Sequence, residues 1–178
     1  MQMLFARWST KYKKSRARSS LHLKNKRTIN LTLKGHSSHV NTIIQLNDGR
    51  IASCSKDKSL KFWDLSTNQC TVTIAAHSKD VLSLIQLRDG RIASCSEDKK
   101  IKIWDLNTLK CIITLSGHYS FVMSLIQLKD GRIASCSDDK TIKVWDLKTS
   151  ECSFTLIGHE SYIIALIQLN DQKIGSCS

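Results

Sequence analysis

The chain has 178 residues, of which 27 are Lys or Arg and 15 are Asp or Glu, with seven Cys, seven Gly and no Pro. That length fits one domain, and 41% apolar against 24% charged residues excludes a disordered polymer and a collagen-like or mucin-like chain. The longest apolar runs, such as 122–126 broken by Ser124, fall far short of the roughly 18 residues that cross a bilayer as a helix, so no membrane partner is expected.

Residues 1–27 come first and carry nine Lys or Arg and no acid. The remaining 151 residues hold 18 basic and 15 acidic side chains, so most of the formal charge of +12 belongs to this tail. Three readings fit it. The run Lys11-Tyr12-Lys13-Lys14-Ser15-Arg16-Ala17-Arg18 suits a nuclear-import or nucleic-acid patch. Its Arg and Ser content without acids also suits an organellar transit peptide. The third reading, a solvated disordered leader, is the one adopted, because charge runs bury too little apolar surface to fold. An odd number of cysteines without a secretory apolar segment points to a reducing compartment, cytoplasmic or nuclear, and to free thiols.

From residue 28 the chain repeats. His36, His77, His118 and His159 step by 41, and so do Trp63, Trp104 and Trp145, the series Cys54, Cys95, Cys136 and Cys177, and the series Cys70, Cys111 and Cys152. Residues 77–117 and 118–158 share 27 identities in 41 positions without a gap. Within the second unit, four runs of strand length rich in Ile, Leu, Val and Thr are predicted at 81–87, 92–96, 101–106 and 111–115. Asp89-Gly90 separates the first two as a hairpin turn, matched by Asp48-Gly49 and Asp130-Gly131; the last unit has the less favourable Asp171-Gln172. Four strands joined by hairpins make a small antiparallel sheet. Neighbours such as Ile103 and Trp104 point to opposite faces and are both apolar, so other sheets must cover both sides. Four-stranded units of this length stack around an axis as a propeller.

The pairs Gly35-His36 with Trp63-Asp64, Ala76-His77 with Trp104-Asp105, and Gly117-His118 with Trp145-Asp146 resemble the WD-repeat (WD40-type) β-propeller family over residues 28–178. Gly158-His159 opens a fourth unit without a Trp-Asp, and Ala76 departs from the usual Gly in one local turn. The resemblance implies an all-β propeller segment of about three and a half four-stranded antiparallel blades, its ring incomplete within this chain. One orphan outer strand at 28–34, three complete blades and two strands of a fourth would make fifteen strands. Such a chain is expected to be a fragment, a truncated reading frame or half of an assembly. Two copies would bring thirty strands against roughly 28 in a seven-bladed ring, so self-association to complete the propeller is one expectation.

Ser, His and Asp recur together, the cast of a hydrolase triad. The sets are His36, Ser53, Asp57 and Trp63; His77, Ser94, Asp98 and Trp104; and His118, Ser135, Asp139 and Trp145. A nucleophile is needed once per site, so a constellation copied in every unit reads as structural. The resemblance implies a buried network in which His links the turn Asp to the strand Ser and the Trp indole. The fourth copy, with His159 and Ser176 only, should form the weakest blade. His36 and His39 form a lone His-x-x-His without a Cys-x-x-Cys partner, and no phosphate-binding Gly-rich loop is present, so neither a metal nor a cofactor is expected. The repeated Cys occupy strand positions that suit a small hydrophobe.

Function is then sought where the units differ. In the family, partners dock on the face formed by the loop after each His and the turn before each repeated Asp. The varying residues are His39, Lys79, Asp80, Tyr119, Phe121 and Tyr162 in the first set, and Lys56, Glu97 and Asp138 in the second. Aromatic anchors on a mixed-charge rim suit a protein or peptide partner, although Phe121 and Tyr162 could equally open the inner strands and pack inward. The sequence therefore points to a non-catalytic protein-interaction scaffold. A nucleic-acid-associated or nuclear protein that uses its basic tail is the alternative, and a hydrolase a distant third.

Overall fold

The computed structural model describes residues 19–24, 30–169 and 173–178. Strands β1 (Ser19–Lys24) and β2 (Asn30–His36) form a two-stranded antiparallel sheet. Three four-stranded sheets follow. The first contains β3 (Val40–Gln45), β4 (Ile51–Ser55), β5 (Ser59–Asp64) and β6 (Gln69–Ala75). The second contains β7 (Val81–Gln86), β8 (Ile92–Ser96), β9 (Lys100–Trp104) and β10 (Cys111–Ser116). The third contains β11 (Val122–Gln127), β12 (Ile133–Ser137), β13 (Thr141–Asp146) and β14 (Glu151–Ile157). The pair β15 (Ala165–Gln168) and β16 (Ile174–Cys177) closes the series. In every complete sheet the strands lie in chain order, each antiparallel to the next.

The hairpins explain this order. Gly49, Gly90 and Gly131 adopt φ near +90° and donate their N–H groups to the carbonyls of Leu46, Leu87 and Leu128, a conformation that glycine reaches at little cost. In the fourth unit, the expected Asp171-Gln172 turn lies outside the described residues, while the Leu169 N–H still closes on the Lys173 carbonyl at 2.8 Å. The second strand of each complete blade, Ile-Ala-Ser-Cys-Ser, is buried at every position. Only a strand covered on both faces can be so, which is why its sequence does not alternate.

The core lies between the sheets. Ala52, Cys54, Leu60 and Phe62 of the first blade pack on Val81, Leu84, Ile92 and Trp104 of the second. Ala93, Ile101, Ile103 and Leu115 of the second pack on Val122, Leu125, Ile133 and Trp145 of the third. Ala134, Ile142 and Val144 pack on Ile163 and Leu166 at the start of the fourth, and Leu33 of β2 packs on Ile51 and Trp63. The sheets thus form an arc of three complete blades flanked by two half-blades.

Two expectations are corrected. The described residues contain sixteen strands rather than fifteen, and the additional one, β1, falls within 1–27, where a disordered tail was expected. Leu21 and Leu23 alternate with Ser20, His22 and Lys24, a strand pattern that a search keyed on Trp-Asp passes over. Residues 1–18 and 25–29, with the remaining readings of the tail, lie outside the described residues.

Candidate functional site

The repeated polar residues come together once per complete blade. His36 bonds Asp57 Oδ2 through Nδ1 and Ser53 Oγ through Nε2, both at 2.7 Å, and Trp63 Nε1 lies 2.8 Å from the same Ser53 Oγ. His77, Asp98, Ser94 and Trp104 repeat this at 2.8–2.9 Å. His118, Asp139, Ser135 and Trp145 repeat it at 2.8 Å throughout. The proton order follows from the donors. An indole N–H only donates, so the Ser oxygen accepts it and gives its own proton to His Nε2; the Nδ1–H is then left for the carboxylate. The histidine in this arrangement is neutral.

The titration shifts agree. Burial, partly opposed by the partner carboxylate, lowers the pKa of His36, His77 and His118 below the ordinary 6.5. Burial by itself would raise the aspartates, but hydrogen bonds win. Those from Ser59, His36 and the Ser37 amide bring Asp57 down to about 2, and those from Thr141, the Tyr119 amide and His118 do the same for Asp139. Asp98 is lowered too, through His77 and the amides of Ser78 and Lys100; Lys100 stands where the other blades have a hydroxyl.

The geometry resembles a catalytic triad and cannot work as one. Ser53, Ser94 and Ser135 have no solvent exposure, and each hydroxyl oxygen is already taken by an indole. No substrate carbonyl can approach such an oxygen, so the array serves to tie three strands together in a low-dielectric interior. Both ring nitrogens of His36 are engaged there, which leaves nothing for a metal shared with the exposed His39. The fourth copy keeps His159 Nε2 on Ser176 Oγ at 2.7 Å, with Ser178 Oγ 3.0 Å from Nδ1, the nitrogen that meets Asp in the other blades.

Ala76 leaves its turn and its blade's network intact. A methyl on Gly35 or Gly117 would stand 2.9 or 3.2 Å from Cη2 of Trp63 or Trp145. Trp104 accommodates the methyl of Ala76: its ring centroid lies 6.4 Å from His77, against 6.0 Å in the other two blades.

The varying residues gather at one end of the blades. Backbone bonds of 2.9–3.0 Å run from Lys56 N to the His39 carbonyl, from Glu97 N to Asp80, and from Asp138 N to Phe121, so the loop after each His lies beside the turn before each Asp. Lys56 Nζ stands 4.0 Å from Asp80 Oδ2 and links the first rim to the second. Lys79 is exposed next to it. Tyr119 is 83% exposed, Phe121 40% and Tyr162 53%, whereas their neighbours Val122 and Ile163 are fully buried. The choice left open by sequence is thereby made, because Val122 and Ile163 fill the inward positions.

One series escaped the sequence reading although its period was visible. Gln86, Gln127 and Gln168 accept through Oε1 from the backbone N–H of Asn47, Arg88 and Lys129 in the preceding blade, at 2.8–2.9 Å. These bonds join successive hairpins at the end opposite the rim. The cysteines split by burial, and Cys177 departs from its series. Cys54, Cys95 and Cys136 are buried, and burial raises the thiols of Cys54 and Cys136 to about 12 and that of Cys95 well above its ordinary value. Cys111, Cys152 and Cys177 are exposed and Cys70 half-buried, so the small-hydrophobe reading fits Cys54, Cys95 and Cys136 alone among the seven.

Comparison with known proteins gives the following. A family model described as WD domain, G-beta repeat matches residues 27–64, 68–105 and 109–146. The crystal structure of the WD40 beta propeller domain of Doa1 superposes with a TM-score of 0.80 at 24% identity, over 88% of this chain and 53% of that one. The structures of U3-55K and of the RRP9 WD40 repeats each superpose with a TM-score of 0.70 at 28% identity over 75% of this chain, and over 44% and 43% of theirs. The chain thus spans about half the length of these structures or less. No curated protein sequence matches it.

Proposed function

The chain belongs to the WD-repeat family, and from that premise we propose that it is a non-catalytic interaction scaffold whose partner, a protein or peptide, docks on the rim of His39, Lys56, Asp80, Glu97, Phe121 and Asp138 with Lys79, Tyr119 and Tyr162. The observation that carries this reading is the exposure of Tyr119, Phe121 and Tyr162 beside framework residues that are completely buried. The frame does not need these aromatics, and they suit the centre of an interface. The mechanism is geometric. Loops pinned by His–Asp bonds present a preformed surface, so a partner loses little ordering entropy on docking. The same proposal takes the compartment to be a reducing one, cytoplasmic or nuclear, on the odd number of cysteines in the sequence.

The test is affinity capture with the full chain and with a Tyr119→Ala, Phe121→Ala, Tyr162→Ala variant of unchanged melting temperature. A partner retained by the wild type and lost by the variant is expected. A partner set identical for both would overturn the reading.

A second reading, nucleic-acid association, is favoured by the nine basic residues without an acid in 1–27. Deleting that segment would also remove β1, so the separating variant replaces Lys11, Lys13, Lys14, Arg16 and Arg18 with Gln. Loss of a steeply salt-dependent binding in this variant would favour nucleic acid over the rim.

A further inference from the structure

We propose that the partner enters the rim with an arginine side chain, its guanidinium reaching the carboxylates of Glu97 and Asp138 and its plane lying against the ring of Phe121. This rests on the docking reading above and names the chemistry that the rim would select. The rim is built of two rings. Lys56, Glu97 and Asp138 lie on its inner side, because their N–H groups meet the carbonyls of His39, Asp80 and Phe121, just where the inner strands β3, β7 and β11 begin. Lys58, Lys99 and Lys140, two residues on, repeat without change. The Lys58 carbonyl receives the amides of Ala76 and His77 past the end of the outer strand, which places this lysine series on the outer side. A feature common to every complete blade cannot tell one blade from another, so selectivity belongs to the inner ring.

The inner ring changes character from blade to blade. Its members in order are His39 with Lys56, Asp80 with Glu97, and Phe121 with Asp138. Across the first seam Lys56 Nζ stands 4.0 Å from Asp80 Oδ2, so those two charges offset each other. One 41-residue step later the same two positions hold Glu97 and Phe121, so a carboxylate and an aromatic ring replace the ion pair. Phe121 thus has one carboxylate across the seam, Glu97, and one in its own blade, Asp138, whose N–H reaches the Phe121 carbonyl at 2.9 Å. The Ser120 hydroxyl donates to Asp138 Oδ2 at 2.7 Å and holds that carboxylate in place. Neither Glu97 nor Asp138 forms an ion pair among the described residues. Asp48, Asp89 and Asp130, at the opposite end of the blades, are each paired with an arginine of their own hairpin at 2.6–2.7 Å.

Two carboxylates without cations beside an exposed ring suit a cation that also offers a flat face. The guanidinium group does both: it is planar, weakly hydrated and always charged, and it stacks on an aromatic ring while donating to carboxylates. The lysine ammonium is a compact, strongly hydrated point charge with no face to stack, so it fits less well. An acidic peptide would meet Glu97 and Asp138 with like charge. Tyr119, exposed two residues before Phe121, supplies a second aromatic surface for the residues that flank the arginine. All of these residues belong to the second and third blades, which are complete and have a sheet packed on each side. Their exposure is therefore set by those blades and not by where the described arc stops.

The probe is a phage-displayed library of random linear peptides, selected on the full chain and counter-selected on the Tyr119→Ala, Phe121→Ala, Tyr162→Ala variant. Rim-dependent binders are expected to share an arginine. Replacing it with citrulline, which keeps the shape and loses the charge, is expected to weaken binding roughly tenfold or more, and replacing it with lysine should recover only part of that loss. In a chain carrying Glu97→Gln and Asp138→Asn, with unchanged melting temperature, the citrulline cost should largely vanish, a coupling that a merely structural change would not produce. Rim-dependent binders without a shared arginine, or with a shared acidic residue in its place, would overturn the assignment and leave rim docking intact. So would a full citrulline cost in the Glu97→Gln, Asp138→Asn chain, or lysine binding as well as arginine. No rim-dependent binder at all would overturn the docking reading and this one with it. A gain in peptide affinity of roughly tenfold or more when Lys11, Lys13, Lys14, Arg16 and Arg18 are replaced with Gln would show that the chain's own tail competes for the site, and would overturn a separate partner.

Discussion

The indole of Trp104 and the hydroxyl of Ser94 meet at 2.8 Å where solvent does not reach, and that hydroxyl joins the indole to His77 by hydrogen bonds. Ser94→Ala would leave an indole N–H and an imidazole nitrogen buried without partners, so a loss of about 2–4 kcal/mol is expected. Denaturant unfolding of the purified variant measures it. A change below about 0.5 kcal/mol would show that the relay does not hold the blade.

Acid should weaken the fold in two stages. His36, His77 and His118 are held below the ordinary 6.5, so the unfolded chain takes up their protons first; this contribution is complete above pH 6.5 and declines as the pH falls below it. Asp57 and Asp139 remain ionised down to about 2 against an ordinary 3.8, so their contribution is lost between those values. Urea midpoints across a pH series should fall in both windows. A midpoint constant from pH 7 to pH 5 would contradict the neutral-histidine assignment.

Restoring the family's glycine at Ala76 should not help this protein. Ala76 is buried in the core between the first and second blades, so Ala76→Gly is expected to cost about 0.5–1 kcal/mol. Gly117→Ala should cost about 1–2 kcal/mol, because φ is +151° there and Trp145 stands 3.2 Å from the added methyl. Thermal melts of both variants test the pair, and a stabilised Ala76→Gly would show that the methyl strains Trp104.

Thiol modification should divide the cysteines by burial. Cys111, Cys152 and Cys177 are expected to react in the folded chain and Cys70 more slowly. Cys54, Cys95 and Cys136 should react only on unfolding, being buried with their thiols held protonated. Peptide mapping after brief alkylation reads the pattern, and early labelling of Cys95 would mean that the second and third blades separate in the native state.

Much of this was legible in the residues because a 41-residue step makes each blade a copy of the next. Trp63, Trp104 and Trp145 marked the third strands, and Asp48-Gly49 marked a turn whose glycine does take positive φ. Strand β1 escaped because its hairpin carries no Trp-Asp, and the Gln86, Gln127 and Gln168 ties escaped because a periodic polar residue does not announce what it reaches. The inward or outward direction of Phe121 depended on whether it or Val122 filled the inner position, one residue apart, and a shift of one reverses the face.

The blade is written in the residues: its four strands, its turns, the recurrence of His, Ser, Asp and Trp, and the need for cover on both faces all follow from local pattern repeated in register. The proton order within each network, the gathering of the varying residues into one rim and the glutamine ties between hairpins came with the folded chain. Those properties belong to contacts between residues 10 to 40 apart in the chain and between neighbouring sheets. A linear pattern shows which residues recur, but the distances among them are set when one blade packs on the next.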